Sequence, residues 1–129
     1  MRTKKILIVD DEPNIILSLD YLVRKNGFEP FIARNGTEAL AIARSEIPDL
    51  ILLDIMMPDI DGYQVCRSLK KDALFEHTKI VFLSAKSKRE DIELGLEAGA
   101  DSYFTKPFST KQIMQEILKL LVHNEKNNN

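Results

Sequence analysis

The sequence predicts a doubly wound α/β domain of five parallel strands and five helices, on three observations. Short runs of β-branched and aliphatic residues recur along the chain, segments with the helical period separate them, and most of those segments open on a helix-start signal. Such strict alternation pairs strands in parallel and covers both sheet faces with helices.

The strands are expected at 5–9, 28–33, 50–53, 80–83 and 102–104. After the first, Pro13 suits an opening helical turn, Ile15, Ile16, Leu19, Leu22 and Val23 follow at helical spacing, and Asn26-Gly27 stops the helix. Asn35-Gly36-Thr37-Glu38 and Ser87-Lys88-Arg89-Glu90 both read as capping boxes, with a cap oxygen and a carboxylate three residues later. Asp61 can cap a helix carrying Val65, Cys66 and Leu69. Ser109 with Gln112 opens the last helix, whose apolar stripe is Ile113, Ile117, Leu120 and Leu121. The Asn-rich stretch 124–129 reads as a disordered tail, leaving 1–123 as one domain.

Composition narrows the function classes. A chain of 129 residues has room for one core that buries roughly two thirds of the unfolded surface. With 44% hydrophobic and 29% charged residues and a net charge of -2, nothing points to nucleic acid or an anionic membrane as the main partner. The apolar runs are too short to span a bilayer and the N-terminus has no secretory core, so a cytoplasmic location is expected. Cys66, the lone cysteine, reads as a small core residue, and His77 and His123 are given no metal or relay role.

In open parallel sheets, ligands bind beyond the carboxyl ends of the strands. Here the first strand runs into Asp10-Asp11-Glu12, the third into Asp54, the fourth into Ser84-Ala85, and the fifth into Lys106-Pro107. Taken singly, such residues are usually caps or turn formers; four strand ends delivering complementary groups to one crevice are another matter. Converging carboxylates repel unless protonated or held by a cation, and oxygen donors with no His or Cys beside them argue for Mg²⁺. Lys106 is suited to stabilise charge on a transferred phosphoryl group, Ser84 adds a hydroxyl, and Asp54 is the natural nucleophile for an aspartyl phosphate. Glu12, beside Pro13, is expected to leave the site and to cap the first helix or favour its positive end.

Over about residues 4–122 the chain resembles the CheY-like receiver domains of two-component response regulators. The resemblance rests on Ile6-Leu7-Ile8-Val9-Asp10-Asp11-Glu12, on 48–58 with Asp54 at its centre, on Asp61-Gly62, on Leu83-Ser84-Ala85, and on 99–108 with Lys106-Pro107 near its end. It implies a flavodoxin-like sheet in the order 2-1-3-4-5. It implies that Asp54 accepts a phosphoryl group from a sensor histidine kinase or a histidine phosphotransfer protein. Mg²⁺ would be held by Asp10, Asp11, Asp54 and the backbone carbonyl of Met56, while Ser84 and Lys106 bind the phosphoryl group. Ser84 and Tyr103 would form the switch that alters the surface of the fourth helix, fifth strand and fifth helix. For Tyr103 the alternative is a half-buried strand aromatic with its hydroxyl in water. Pro107 is expected to follow a cis peptide bond.

The resemblance also frames what varies. Met56 and Lys86 occupy two positions that influence how long the phosphoryl group lasts, and neither side chain can accept a proton from an attacking water. The chain ends where a receiver ends, so the target or output domain is expected to be a separate protein or a segment beyond this chain. A phosphorylation-dependent dimer stays open, although Ile92, Ser102 and Glu116 stand where the winged-helix subfamily tends to have Arg, Asp and Arg. Two rivals fit less well. An aspartyl-phosphate phosphatase would place nucleophile and acid two residues apart after the first strand, and a nucleotide or flavin module would need a Gly-rich loop there.

Overall fold

Strand residues point alternately to the two faces of a sheet, and here both faces are apolar. Leu7, Val9, Ile51, Leu53, Ile80 and Phe82 enter one core, while Ile6, Ile8, Leu50, Leu52, Val81 and Leu83 enter the other. The computed structural model, which describes residues 2–123, places these side chains on β1 (Lys5–Val9), β2 (Glu29–Ala33), β3 (Leu50–Leu53), β4 (Lys79–Ser84) and β5 (Ser102–Thr105). All neighbouring strands are parallel, in the order β2-β1-β3-β4-β5, as the resemblance implied.

The helices are α1 (Pro13–Lys25), α2 (Gly36–Glu46), α3 (Gly62–Lys70), α4 (Arg89–Glu97) and α5 (Thr110–Leu118). α1 and α5 cover the Ile6 face through Leu19, Val23, Ile113 and Ile117. α2 and α3 cover the Leu7 face through Ala39, Ala43, Val65, Cys66 and Leu69. Cys66 is fully buried and its thiol donates to the Ala98 carbonyl, in keeping with a core role. No helix among the described residues is long and apolar enough to cross a membrane.

Pro13 takes the first helical position of α1, and Asn35, Asp61 and Ser109 each cap their helix by accepting a backbone N–H. Several local expectations shift: β4 runs one residue further at each end and β5 one further at its carboxyl end. β2 starts at Glu29 because Gly27 turns at φ 86° and the Phe28 N–H goes back to the Val23 carbonyl, closing the end of α1. Of the box expected at Ser87 only the carboxylate half forms, one residue later, because a lysine side chain at the cap has no acceptor to offer. Lys88 is the last extended residue, and Asp91, three positions on, accepts its N–H at 3.2 Å. The tail at 124–129 and the side chain of His123 lie outside the described residues.

Candidate functional site

Register assembles the site. Val9 pairs with Leu53, so Asp10 and Asp54 follow side by side at the carboxyl edge. Both backbones prolong the sheet, Asp10 N–H donating to the Ala33 carbonyl and Asp54 N–H to the Val9 carbonyl. One strand further along, Ser84 pairs with Thr105, and the Lys106 N–H donates to the Ser84 carbonyl at 2.8 Å. Residues 96 positions apart thereby meet: Lys106 Nζ lies 2.8 Å from Asp10 Oδ2 and 3.7 Å from Asp54 Oδ2.

Asp10 and Asp54 are only 2% and 4% exposed, so their charges cannot rely on bulk water. Burial pushes the Asp54 carboxyl up to about 6; Lys106 pulls it down and the Asp10 charge adds to the rise. Burial also works against the Lys106 ammonium, but the hydrogen bond to Asp10 and the charges of Asp54 and Asp10 outweigh it and raise its pKa. The cation is thus locked on among carboxylates.

Glu12 departs from expectation. It occupies the cap position of α1 but makes no side-chain cap bond, and its Oε1 accepts from Lys106 Nζ at 3.2 Å. The lysine ammonium competes better for this long side chain than the orphan N–H groups of α1. Meanwhile the Glu12 N–H donates to Asp10 Oδ1 at 2.9 Å, which orients that buried carboxylate. Carboxylate oxygens of Asp10, Asp11 and Glu12 come within 4.8 Å of one another, an oxygen-only donor set that fits a hard divalent ion.

The expected switch residues are also brought near the edge. Ser84 is fully buried, its hydroxyl accepting the Lys86 N–H at 3.2 Å. The Tyr103 hydroxyl is not left in water: it donates to the Lys86 carbonyl at 2.6 Å, and burial pushes this phenol up to about 12. Its ring leans on Phe82, which in turn meets Tyr63 edge-on, with centroids 5.8 and 5.7 Å apart. Gly95 on α4 leaves the slot for that ring, since a Cβ there would stand 2.9 Å from Tyr103 Cδ2. The Lys106–Pro107 peptide bond is cis, as expected.

Met56 projects from the loop after β3, 58% exposed, its N–H donating to Asp54 Oδ1 at 3.4 Å. With Asp11, Tyr63 and Lys86 it lines an open pocket beside the acids. Tyr63 was invisible to the sequence reasoning, which read α3 only for its core stripe; its hydroxyl donates to the Asp91 carbonyl and ties α3 to α4.

The family model for the response regulator receiver domain matches residues 6–118. The chain belongs to the response regulator receiver family. It is 43% identical over 122 residues to the alkaline phosphatase synthesis transcriptional regulatory protein PhoP of Bacillus subtilis, covering 95% of this chain and 50% of that protein. It is 40% identical over 122 residues to the DNA-binding response regulator MtrA of Mycolicibacterium smegmatis, covering 95% of this chain and 52% of that one. This receiver therefore spans about half the length of those curated relatives. The crystal structure of a CheY-like receiver domain protein from Methanospirillum hungatei superposes with a TM-score of 0.90 at 32% identity, covering 98% of this chain and 99% of the other. The family is a signalling switch, and the fold, strand order and acidic cluster of this member fit it.

Proposed function

We propose that this receiver takes a phosphoryl group from a histidine kinase or a histidine phosphotransfer protein onto Asp54. The observation that carries the reading is the Lys106 ammonium held between Asp10 and Asp54 at the carboxyl edge of the sheet. An Asp54 oxygen attacks the phosphorus of a phosphoimidazole; an O–P bond forms, the N–P bond breaks, and the imidazole leaves as the neutral base once protonated. Lys106 stabilises the charge on the transferred oxygens, a task for which its burial and fixed position prepare it. Ser84 offers its hydroxyl to one of those oxygens. Asp10, Asp11, Asp54 and the Met56 carbonyl would hold Mg²⁺, which when bound offsets the negative charge of the acids and the incoming phosphate.

Only the domain's own phosphorylation and dephosphorylation are promoted, so the product is a changed surface rather than a released metabolite. Tyr103 links the site to that surface, because its ring packs on α4 at Gly95 and its hydroxyl holds the carbonyl of Lys86, two residues past Ser84. The surface of α4, β5 and α5 then acts on a protein target or an output domain, in the cytoplasm and without direct contact with nucleic acid by the receiver itself. At the expected dimer positions, the Ser102 hydroxyl donates to Glu116 within the chain, so a phosphorylation-dependent dimer would not use these two as free charges. The test is incubation with Mg²⁺ and acetyl phosphate followed by rapid intact-mass measurement. Wild type is expected to gain one phosphoryl group and Asp54→Ala none; equal labelling of both, or of neither, overturns the assignment.

A further inference from the structure

The loop between β3 and α3 carries Met56 and borders the open pocket beside the acids. It is tied at its end, where the Gly62 N–H donates to the Ile55 carbonyl at 2.9 Å. It is tied again at its middle, on a different element. Asp59 Oδ1 accepts the Gly36 N–H at 2.9 Å, and Asp59 Oδ2 accepts both the Thr37 N–H at 2.9 Å and the Thr37 hydroxyl at 2.6 Å. These are first-turn groups of α2, left without partners inside their own helix, so a carboxylate from the loop satisfies them and meets the positive helix end. The Thr37 hydroxyl and the two backbone N–H groups hold the Asp59 carboxyl well below the usual carboxylate range. Next to it, Ile60 closes on Gly36 so tightly that a Cβ at 36 would stand 2.8 Å from both Ile60 Cβ and the Ile60 carbonyl oxygen.

We infer that Asp59 is a positioning residue for the metal: by anchoring the loop on α2 through Gly36 and Thr37, it fixes the backbone at Met56 as a ligand for Mg²⁺. This rests on the ligand set proposed above. The loop between Asp54 and Gly62 forms no helix or strand, and the N–H of exposed Met56 makes the long 3.4 Å bond to Asp54. Without the Asp59 anchor, ordering that carbonyl toward an ion would cost loop entropy at each binding event. With it, the cost is met on folding. Asp59 itself touches neither ion nor phosphate.

The experiment is a Mg²⁺ titration of the unphosphorylated full chain, followed by backbone amide chemical shifts of ¹⁵N-labelled protein. Asp59→Ala, Asp59→Asn and Gly36→Ala are compared with wild type, each checked by thermal melting. Asp59→Ala is expected to raise the Mg²⁺ dissociation constant roughly tenfold, the lower end for losing a group that orients a metal ligand. Asp59→Asn, which keeps one acceptor for the Gly36 N–H, is expected to fall between, and Gly36→Ala to weaken binding by pushing Ile60 off α2. The rate of labelling by acetyl phosphate at saturating Mg²⁺ should stay within about twofold of wild type, because positioning is restored once the ion is bound. Unchanged Mg²⁺ affinity in folded Asp59→Ala overturns the inference, as does a labelling rate that drops at saturating Mg²⁺ while affinity holds. Should Asp59→Ala fail to fold, Asp59→Asn and Gly36→Ala decide by the same criterion. Wild type that shows no Mg²⁺-dependent shifts near Asp10, Asp11 and Met56 overturns the proposed ligand set itself, a distinct result.

Discussion

Replacing Asp54 by Asn should stabilise the metal-free domain, which is unusual for a change at a buried polar position. The native fold raises this carboxyl from 3.8 to about 6, a value that already includes the attraction of Lys106. A rise of roughly two units corresponds to about 3 kcal/mol as an upper bound, and relaxation of the polar groups around the charge reduces it to about 1–2 kcal/mol. The sign follows from linkage. The native state binds the Asp54 proton more tightly than the unfolded chain, so this group favours folding fully below the unfolded value near 4. That contribution is lost as pH rises toward 6, and above 6 the charged carboxylate is a standing penalty. Asn keeps the shape and an oxygen for the Met56 N–H, but carries no charge. Thermal melts in EDTA should therefore show Asp54→Asn more stable than wild type by about 4–8 °C at pH 7.5, taking about 4 °C per kcal/mol for a domain of this size. At pH 4 the gap should close. A variant less stable than wild type at pH 7.5, or a gap unchanged between pH 4 and 7.5, would refute the account of Asp54 as a desolvated charge.

Three further outcomes are expected. Lys106→Ala leaves Asp10 buried without its cation and should cost about 3 kcal/mol in EDTA at pH 7, read by urea unfolding, with part of the loss recovered on adding Mg²⁺. Tyr103→Phe removes the donor to the Lys86 carbonyl and should cost about 1 kcal/mol by the same measurement, while phosphorylation of Asp54 by acetyl phosphate proceeds; loss of labelling would place Tyr103 in the chemistry rather than the switch. Once formed, the aspartyl phosphate of the isolated domain in Mg²⁺ should persist longer than about a minute, since neither Met56 nor Lys86 can take a proton from water. A half-life of seconds would show that another group activates that water.

What was legible in the sequence and what was not divides by how local the determining physics is. Hydrophobic alternation and cap residues are written in consecutive positions, so the five strands and the caps Asn35, Asp61 and Ser109 could be read directly. The parallel arrangement then placed Asp10, Asp54, Ser84 and Lys106 on one edge, because the carboxyl ends of parallel strands share a side. The misses are contacts decided by where a second element lies. Glu12 has the neighbours of a helix cap, yet its side chain answers to an ammonium 94 residues away. Ser87 has the pattern of a box, but the residue at which the chain leaves its extended conformation is Lys88. Tyr63 sits one residue inside α3, and only the approach of α4 gives its hydroxyl a partner. Asp59 illustrates the point from the other side: a proline-flanked acid in a loop looks like turn chemistry, and the groups it satisfies belong to a helix 22 residues earlier. The pattern of acids after β1 has the same logic. Three adjacent like charges form a local liability whose burial and partners the sequence does not specify; the fold separates them by burial, sending Asp10 inward and leaving Asp11 and Glu12 exposed, before a single lysine gathers Asp10 and Glu12 together.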